Sequence, residues 1–324
     1  MKKRQDNRPV VAICYDFDGT LSPDYMQNYS FIPGLKPDDR ANFWTESNAA
    51  SKKHQADQIL MYMKKMIDKA KNSDMPIKRD AIVAHGAKIK FFEGVVGWFN
   101  RINAYAAKRG LTVEHYIVSS GLKEMIEGSR IGSRFTAIYA CSFYYDSDGI
   151  PVWPAQAVNF TTKTQFLFRI NKGIFDISDT KRINAYKEPA KRRVPFERMI
   201  YLGDGETDIP CMKLVRAQGG HSIAVYDPNN EKKKVECKKL RGHNRVSCIC
   251  PANYTFGSPL DSLVKCILDK IAADTALENA LAATELFSCE KTAPSESGAS
   301  ATTPTAESDC DALSLSESTI LPHS

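Results

Sequence analysis

Two short acidic clusters carry the strongest chemical signal in the chain. The first is Asp16-Phe17-Asp18-Gly19-Thr20, and the second, far downstream, is Gly203-Asp204-Gly205-Glu206-Thr207-Asp208. Each closes a short apolar run, Val10–Phe17 and Met199–Leu202 respectively. Residues two apart on an extended chain point the same way, so Asp16 and Asp18 can face one pocket. Carboxylates gathered in one place repel each other and need a cation. Asp16, Asp18, Asp204 and Asp208 together form an all-oxygen ligand set without His or Cys, which suits Mg2+. Phosphoryl transfer is the chemistry such a set supports. A carboxylate attacks phosphorus while a bound dication removes the repulsion between the two anions. That attack gives an aspartyl phosphate. A second acid protonates the leaving oxygen and then deprotonates the incoming water.

Two further segments have the residue types to hold a phosphoryl group. Ser119-Ser120-Gly121 ends the apolar run that begins at Val113. Its hydroxyl and backbone N–H groups can bind phosphoryl oxygens, or Ser119 can cap the helix that follows. Thr161-Thr162-Lys163 opens an apolar helical pattern, with Thr161 or Thr162 as its N-cap. A cation at a positive helix end is unfavourable unless an anion sits beside it, which marks Lys163 as a site residue. Glu206 is expected to be peripheral.

The elements that must position these residues follow from the patterning. Val10–Phe17, Val113–Ser119, Phe135–Ala140, Met199–Leu202 and Ser222–Tyr226 read as strands. Their apolar runs are largely unbroken, which points to a parallel sheet covered on both faces. Helical patterns lie between them at Gly94–Arg109, Lys123–Gly128, Lys163–Asn171 and Asp208–Ala217. The alternation predicts a doubly wound, Rossmann-like α/β fold. Ligands of such sheets bind outside the carboxyl ends of the strands, where both acidic clusters fall. A helical module is inserted after the first strand, with Ile59, Leu60, Met63, Met66 and Ile67 at helical spacing as packing residues. Phe143–Phe160 reads as a hairpin around Asp146-Ser147-Asp148-Gly149, and Asp261–Glu285 as a closing helix. Trp44, Trp98 and Trp153 are expected to pack, Trp44 within the inserted module.

The four motifs occur in the order of the signatures of the haloacid dehalogenase (HAD) superfamily, which this chain resembles from about Val10 to Lys270. Asp16-Phe17-Asp18-Gly19-Thr20-Leu21 is similar to the first signature, Val118-Ser119-Ser120-Gly121 to the second, Lys163 to the third, and Gly203–Asp208 to the fourth. The resemblance implies that Asp16 is the nucleophile and a metal ligand. Asp18 would be the general acid/base, with its backbone carbonyl on the metal. Ser119, with Ser120 and Gly121, would bind the phosphoryl group. Lys163 would neutralise charge on nucleophile and phosphate, Asp204 would ligate Mg2+, and Asp208 would support the metal from behind. The segment Gly173–Arg193 lengthens the spacing between the third and fourth signatures, so Lys172, Lys181 and Lys187 compete with Lys163, which fits best because it opens a helix. The inserted helices look like the cap of phosphoserine-phosphatase-like members. The implied organisation is an α/β core of residues 9–21 and 91–284, a helical cap of residues 22–90, and a disordered acidic tail of residues 285–324.

Composition narrows the function classes. The chain has 324 residues, of which 43% are hydrophobic and 25% charged, an ordinary globular balance. No stretch approaches the ~20 apolar residues that a membrane span needs. The basic start leads into an apolar run too short for a secretory core, which reads as a strand. Nine cysteines lack any framework or paired knuckles, which fits reduced thiols in a cytoplasmic protein rather than a zinc site. The net charge is +6, and with −6 in residues 285–324 the body carries +12. Much of that charge lies in Glu231–Arg245, whose default reading is a solvated face. The leading expectation is a Mg2+-dependent phosphatase acting on a small phosphorylated metabolite. Alternatives are a phosphatase for nucleic-acid ends or nucleotides, since a basic body also suits nucleic acid, a phosphomutase, and a non-catalytic phospho-ligand binding module.

Overall fold

A computed structural model of the chain describes residues 8–290, with side chains to residue 284. Seven strands form its sheet: β1 (Val10–Tyr15), β2 (Thr112–Leu122), β3 (Ala137–Tyr145), β4 (Pro151–Gln156), β5 (Met199–Gly203), β6 (His221–Tyr226) and β7 (Cys248–Pro251). Their spatial order is β4-β3-β2-β1-β5-β6-β7. All neighbours run parallel except β3 and β4, which form the expected hairpin. Every residue of β1 and of β5 is buried. Both strands are covered on two faces, which is why their sequences are apolar throughout rather than alternating. The doubly wound parallel sheet is therefore present, with β1 at its centre.

Four helices lie between the first acidic turn and residue 90: α1 (Phe31–Gly34), α2 (Pro37–His54), α3 (Gln58–Asn72) and α4 (Arg79–His85). Asp57 caps α3 by accepting from the N–H groups of Ile59 and Leu60. The α3 stripe buries Tyr62, Met63 and Met66, while Leu60 is exposed. Seven helices follow: α5 (Val95–Ala107), α6 (Lys123–Glu127), α7 (Thr164–Lys172), α8 (Thr180–Asn184), α9 (Ile209–Ala217), α10 (Glu231–Gly242) and α11 (Pro259–Glu290). The described residues as far as Glu278 pack as one unit. The closing helix passes the expected boundary at residue 285 and runs to Glu290, and the rest of the expected tail lies outside the described residues.

A buried polar chain braces the sheet behind the site. Trp98 Nε1 donates to Tyr15 Oη at 2.8 Å, and the Tyr15 hydroxyl meets His115 Nδ1 at 2.9 Å. His115 Nε2 reaches Asn103 Oδ1 at 2.8 Å. The tyrosine donates to Nδ1, so the imidazole carries its hydrogen on Nε2 and stays neutral.

Three readings differ from the structure. β7, which carries Cys248 and Cys250, is not among the strands expected, being too short and mixed for its pattern to reveal. Trp153 does not pack: it is 71% exposed on the edge strand β4, whose outer side has no neighbouring strand among the described residues. Thr161 and Thr162 do not start the helix by capping it. The Thr162 hydroxyl instead accepts from Asn159 N–H and donates to Asn159 O, closing a 3-10 turn over Phe160–Lys163 that leads into α7.

Candidate active site

The two acidic clusters meet because β1 and β5 are adjacent and parallel. Asp16 immediately follows β1, and its N–H donates to Leu202 O at 2.9 Å, continuing the ladder by one residue. Asp204 immediately follows β5. Both side chains therefore leave the sheet at its carboxyl edge, beside the strand where β2 and β5 diverge. Asp208 closes a short 3-10 turn, Glu206–Asp208, at the entrance to α9 and is fully buried. Asp16, Asp204 and Asp208 each place a carboxylate oxygen within 4.8 Å of the others.

Lys163 rises into this cluster from the 3-10 turn before α7. Its side chain has no solvent exposure, and Nζ lies 3.0 Å from Asp16 Oδ1 and 2.7 Å from Asp208 Oδ1. Tyr201, on β5, also donates to Asp208 Oδ1, at 2.7 Å. The three other candidate lysines stay away. Lys172 Nζ donates to the carbonyls of Ile183 and Ala185, Lys187 Nζ donates to the carbonyl of Lys172, and Lys181 is exposed.

Asp18 occupies a different place. Its Oδ1 accepts from Met26 N–H at 3.0 Å, and its carboxylate is outside the three-oxygen cluster. The metal contact that the resemblance implies for Asp18 is through its backbone carbonyl, and its side chain is left to other work. The turn of Phe17–Ser22, closed by the Gly19 N–H to Ser22 O bond of 2.7 Å, carries that side chain toward the helical segment. Gly19 makes the turn with φ +78°, and a Cβ there would overlap the Asp204 carboxylate.

At the second motif β2 continues to Leu122, with its register broken between Val118 and Leu122. A local irregularity of this kind turns the strand at Ser119-Ser120-Gly121. Ser119 is buried, and its Oγ accepts from Gly121 N–H at 3.1 Å, leaving the hydroxyl hydrogen to donate. This bond stays within the motif and does not cap α6, whose start has no side-chain cap. Ser120 Oγ is buried without a partner among the described residues, and Ser120 O accepts from Tyr62 Oη at 2.8 Å. A Cβ on Gly121 would overlap Met26 and stand 3.2 Å from Asp18 Oδ2. The missing side chain thus lets Asp18 approach the Ser119 segment.

The electrostatics follow from this crowding. Burial, then the Asp208 charge, pushes Asp16 up to about 7 against the pull of Lys163. Asp18 is pushed well above the ordinary carboxylate range by burial and by Asp16. Asp204 is raised by burial, with Lys233 opposing. Burial works against the Lys163 charge, but Asp16 and Asp208 outweigh it and hold its ammonium above the ordinary lysine value. Asp16 moves up chiefly because it is buried and next because of Asp208, whereas Lys163 moves up because Asp16 and Asp208 flank it. A further positive charge would lower Asp16 again. The oxygen-only donors, their spacing and this charge excess fit a hard divalent cation at the Asp16–Asp204–Asp208 cluster.

Residue types and spacing missed two participants. Lys233 Nζ lies 3.0 Å from Asp204 Oδ2, although it belongs to the basic run taken as a solvated face. Tyr201 was hidden in an apolar strand. Glu206 is exposed, as expected.

No family model matches the chain. It is 29% identical over 279 residues to an uncharacterized protein of Borreliella burgdorferi, covering 78% of this chain and 94% of that one. A probable phosphoserine phosphatase from Vibrio cholerae superposes with a TM-score of 0.51 at 14% identity, covering 85% of this chain and 69% of the other. A had family hydrolase from Salmonella enterica serovar Typhi matches at 15% identity with a TM-score of 0.45, over 70% of this chain and 66% of that one. The chain shares the fold of that probable phosphoserine phosphatase.

Proposed function

We propose that the protein is a Mg2+-dependent phosphatase that hydrolyses a small phosphorylated metabolite through an aspartyl phosphate on Asp16. The observation that carries this reading is the gathering of Asp16, Asp204 and Asp208 in one cluster, with the buried ammonium of Lys163 bonded to Asp16 and Asp208. A buried cation bonded to the attacking carboxylate is costly to desolvate and suits a site that must also hold a phosphate dianion.

In this reading Asp16 Oδ2 attacks phosphorus in line with the ester oxygen. The new O–P bond forms as the P–O bond to the leaving group breaks. Asp18, kept protonated by burial and by the Asp16 charge, gives its proton to the leaving oxygen. It then takes a proton from water, which attacks phosphorus and frees Asp16. The Ser119 hydroxyl donates to a phosphoryl oxygen, and Lys163 balances the negative charge on both reactants. Bound Mg2+, held by Asp16 and Asp204 with Asp208 behind them, would supply the charge neutralisation that lets two anions approach. The Asp18 contribution to the metal would be its backbone carbonyl.

The helices of residues 22–90 would act as a cap over a core made of residues 9–21 and 91–284. Support comes from Tyr62 bonded to Ser120 O and from Met26 packed on Gly121, contacts that roof the phosphate-binding segment. A roofed site favours small substrates over protein surfaces. Among the described residues no helix is long and apolar enough to cross a membrane. The seven described cysteines are free, and five of them are buried, which fits a reducing, cytoplasmic setting.

The test is phosphate release from a panel of sugar, amino-acid, nucleotide and lipid-headgroup phosphates, with Mg2+ and with a chelator. Metal-dependent release from at least one small ester, lost in Asp16→Asn, is expected. Release confined to oligonucleotide ends would replace the substrate class, and no release from any ester would leave a phospho-ligand binder.

A further inference from the structure

Two cations serve the three-carboxylate cluster, and they are held differently. Lys163 has no exposed side-chain surface and is locked between Asp16 and Asp208. Of the three clustered carboxylates Lys233 meets only Asp204, and 39% of its side chain is exposed. It projects from the first turn of α10, after β6, so it reaches the cluster from the open carboxyl edge of the sheet. Its other carboxylate neighbour, Glu236, lies 3.9 Å away on the same helix and is itself 46% exposed. The nearby lysines do not share this position: Lys232 is exposed, and Lys234 pairs with Glu231 on the surface.

We propose that Lys233 is an exchangeable counter-ion of Asp204, one that a divalent cation displaces when it takes that carboxylate. The inference rests on the metal-dependent reading above, and it adds a residue that the four motifs do not contain. Its physical basis is competition for one anion. Asp204 is nearly buried and is the carboxylate of the cluster that Lys163 does not touch, so Lys233 provides its local compensation. An ammonium bonded to a carboxylate and a dication bonded to the same carboxylate repel at close range. Lys163 cannot leave, because its exit would strand a buried charge. Lys233 can, since four methylenes and a half-exposed path let its ammonium return to water while the stem keeps its packing. The exchange therefore selects Lys233. It sets the metal affinity of the site below that of the bare carboxylates, and it turns a free ammonium toward the mouth, where an anionic ester must enter.

Two measurements on the full chain test the exchange without using turnover. Amine acetylation followed by mass spectrometry reads the accessibility of Lys233 directly. Saturating Mg2+ should raise its labelling several-fold, with Lys232 and Lys234 as unchanged internal standards and Lys163 unlabelled throughout. Titration calorimetry should show Lys233→Met binding Mg2+ three- to ten-fold more tightly than the parent, and Lys233→Arg binding close to the parent. If Mg2+ binds the parent but leaves Lys233 labelling unchanged, or if Lys233→Met binds it equally or more weakly, Lys233 orients Asp204 and exchange is refuted while the phosphatase reading stands. If the parent binds no Mg2+ at millimolar concentration, both readings fall.

Discussion

Lys163 Nζ stands 2.7 Å from Asp208 Oδ1, and neither side chain has any solvent-exposed surface. A pair so placed cannot be understood as a surface ion pair. Both charges have lost their water, and each is tolerable only because the other is present. Removing the lysine should leave Asp208 and Asp16 as uncompensated buried anions. Lys163→Met is expected to lose about 3–5 kcal/mol of stability in urea unfolding. The double variant Lys163→Met/Asp208→Asn should recover part of that loss, giving a coupling of at least about 1 kcal/mol. Equal midpoints for Lys163→Met and the parent would show that the pair does not form in solution.

Asp16→Asn makes the opposite prediction for stability. Asp16 is raised to about 7, so its charged form is disfavoured by the fold above that pH. The unfolded carboxyl ionises near its ordinary value, so between about 4 and 7 the folded state holds the extra proton. This contribution weakens the protein as pH rises through that window. Without metal at pH 8, Asp16→Asn should unfold no earlier than the parent. It should nonetheless lack measurable turnover and lose the rise in melting temperature that Mg2+ gives the parent. An active Asp16→Asn would remove the nucleophile assignment.

Asp18→Asn separates proton transfer from metal binding. Its carboxylate bonds to Met26 N–H, away from the three-oxygen cluster. Mg2+ affinity by calorimetry should change by less than three-fold, while kcat falls by ~10²–10⁴, the usual worth of a general acid. A parallel collapse of metal affinity would place the Asp18 side chain among the ligands.

Sequence and structure agree where chemistry and periodicity coincide. An unbroken apolar run ending in Asp-x-Asp, and another ending in Gly-Asp, are enough to place Asp16 and Asp204 at one sheet edge once the strands are adjacent. Lys163 was legible because a cation at a helix start demands an anion nearby. Lys233 was not, because within Glu231–Arg245 every lysine looks alike, and only the docking of α10 selects the one that turns inward. Tyr201 was hidden for a similar reason: a tyrosine in a buried strand reads as core, and its hydroxyl gains meaning only through Asp208. Asp18 stays buried within reach of the Asp16 and Asp204 charges, as period-two alternation suggests, but its carboxylate is fixed by Met26 N–H, a contact across the Gly19 turn that no local pattern reveals.

Gly19→Ala tests that turn. The residue holds φ +78°, and a Cβ would overlap the Asp204 carboxylate. The left-handed backbone alone costs an alanine about 1 kcal/mol. The overlap must additionally displace Asp204, so Mg2+ binding should weaken by at least ten-fold with only a modest fall in melting temperature. Parent-like metal affinity in Gly19→Ala would mean that Asp204 is not held against the turn.

His115 supplies a pH dependence of its own, remote from the carboxylates. Burial lowers it to about 3, and the Trp98–Tyr15–His115–Asn103 chain fixes it as the neutral Nε2–H form. In the unfolded chain it titrates near 6.5, so between about 3 and 6.5 the unfolded state binds the additional proton. The stability tied to neutral His115 is thus complete above 6.5 and is lost as pH falls toward 3, approaching about 1.4 kcal/mol per unit. Asp16 acts with the opposite sign over part of this range, so the parent profile alone is not diagnostic. His115→Gln keeps an acceptor for Tyr15 and a donor for Asn103 but does not titrate. Subtracting its unfolding free energy from that of the parent isolates the imidazole. The difference should be flat from pH 7 to 8 and should shift against the parent steadily from pH 6 to 4. Parallel profiles across that range would mean that His115 is protonated in the fold, and the hydrogen-bond directions along the buried chain would have to be reversed.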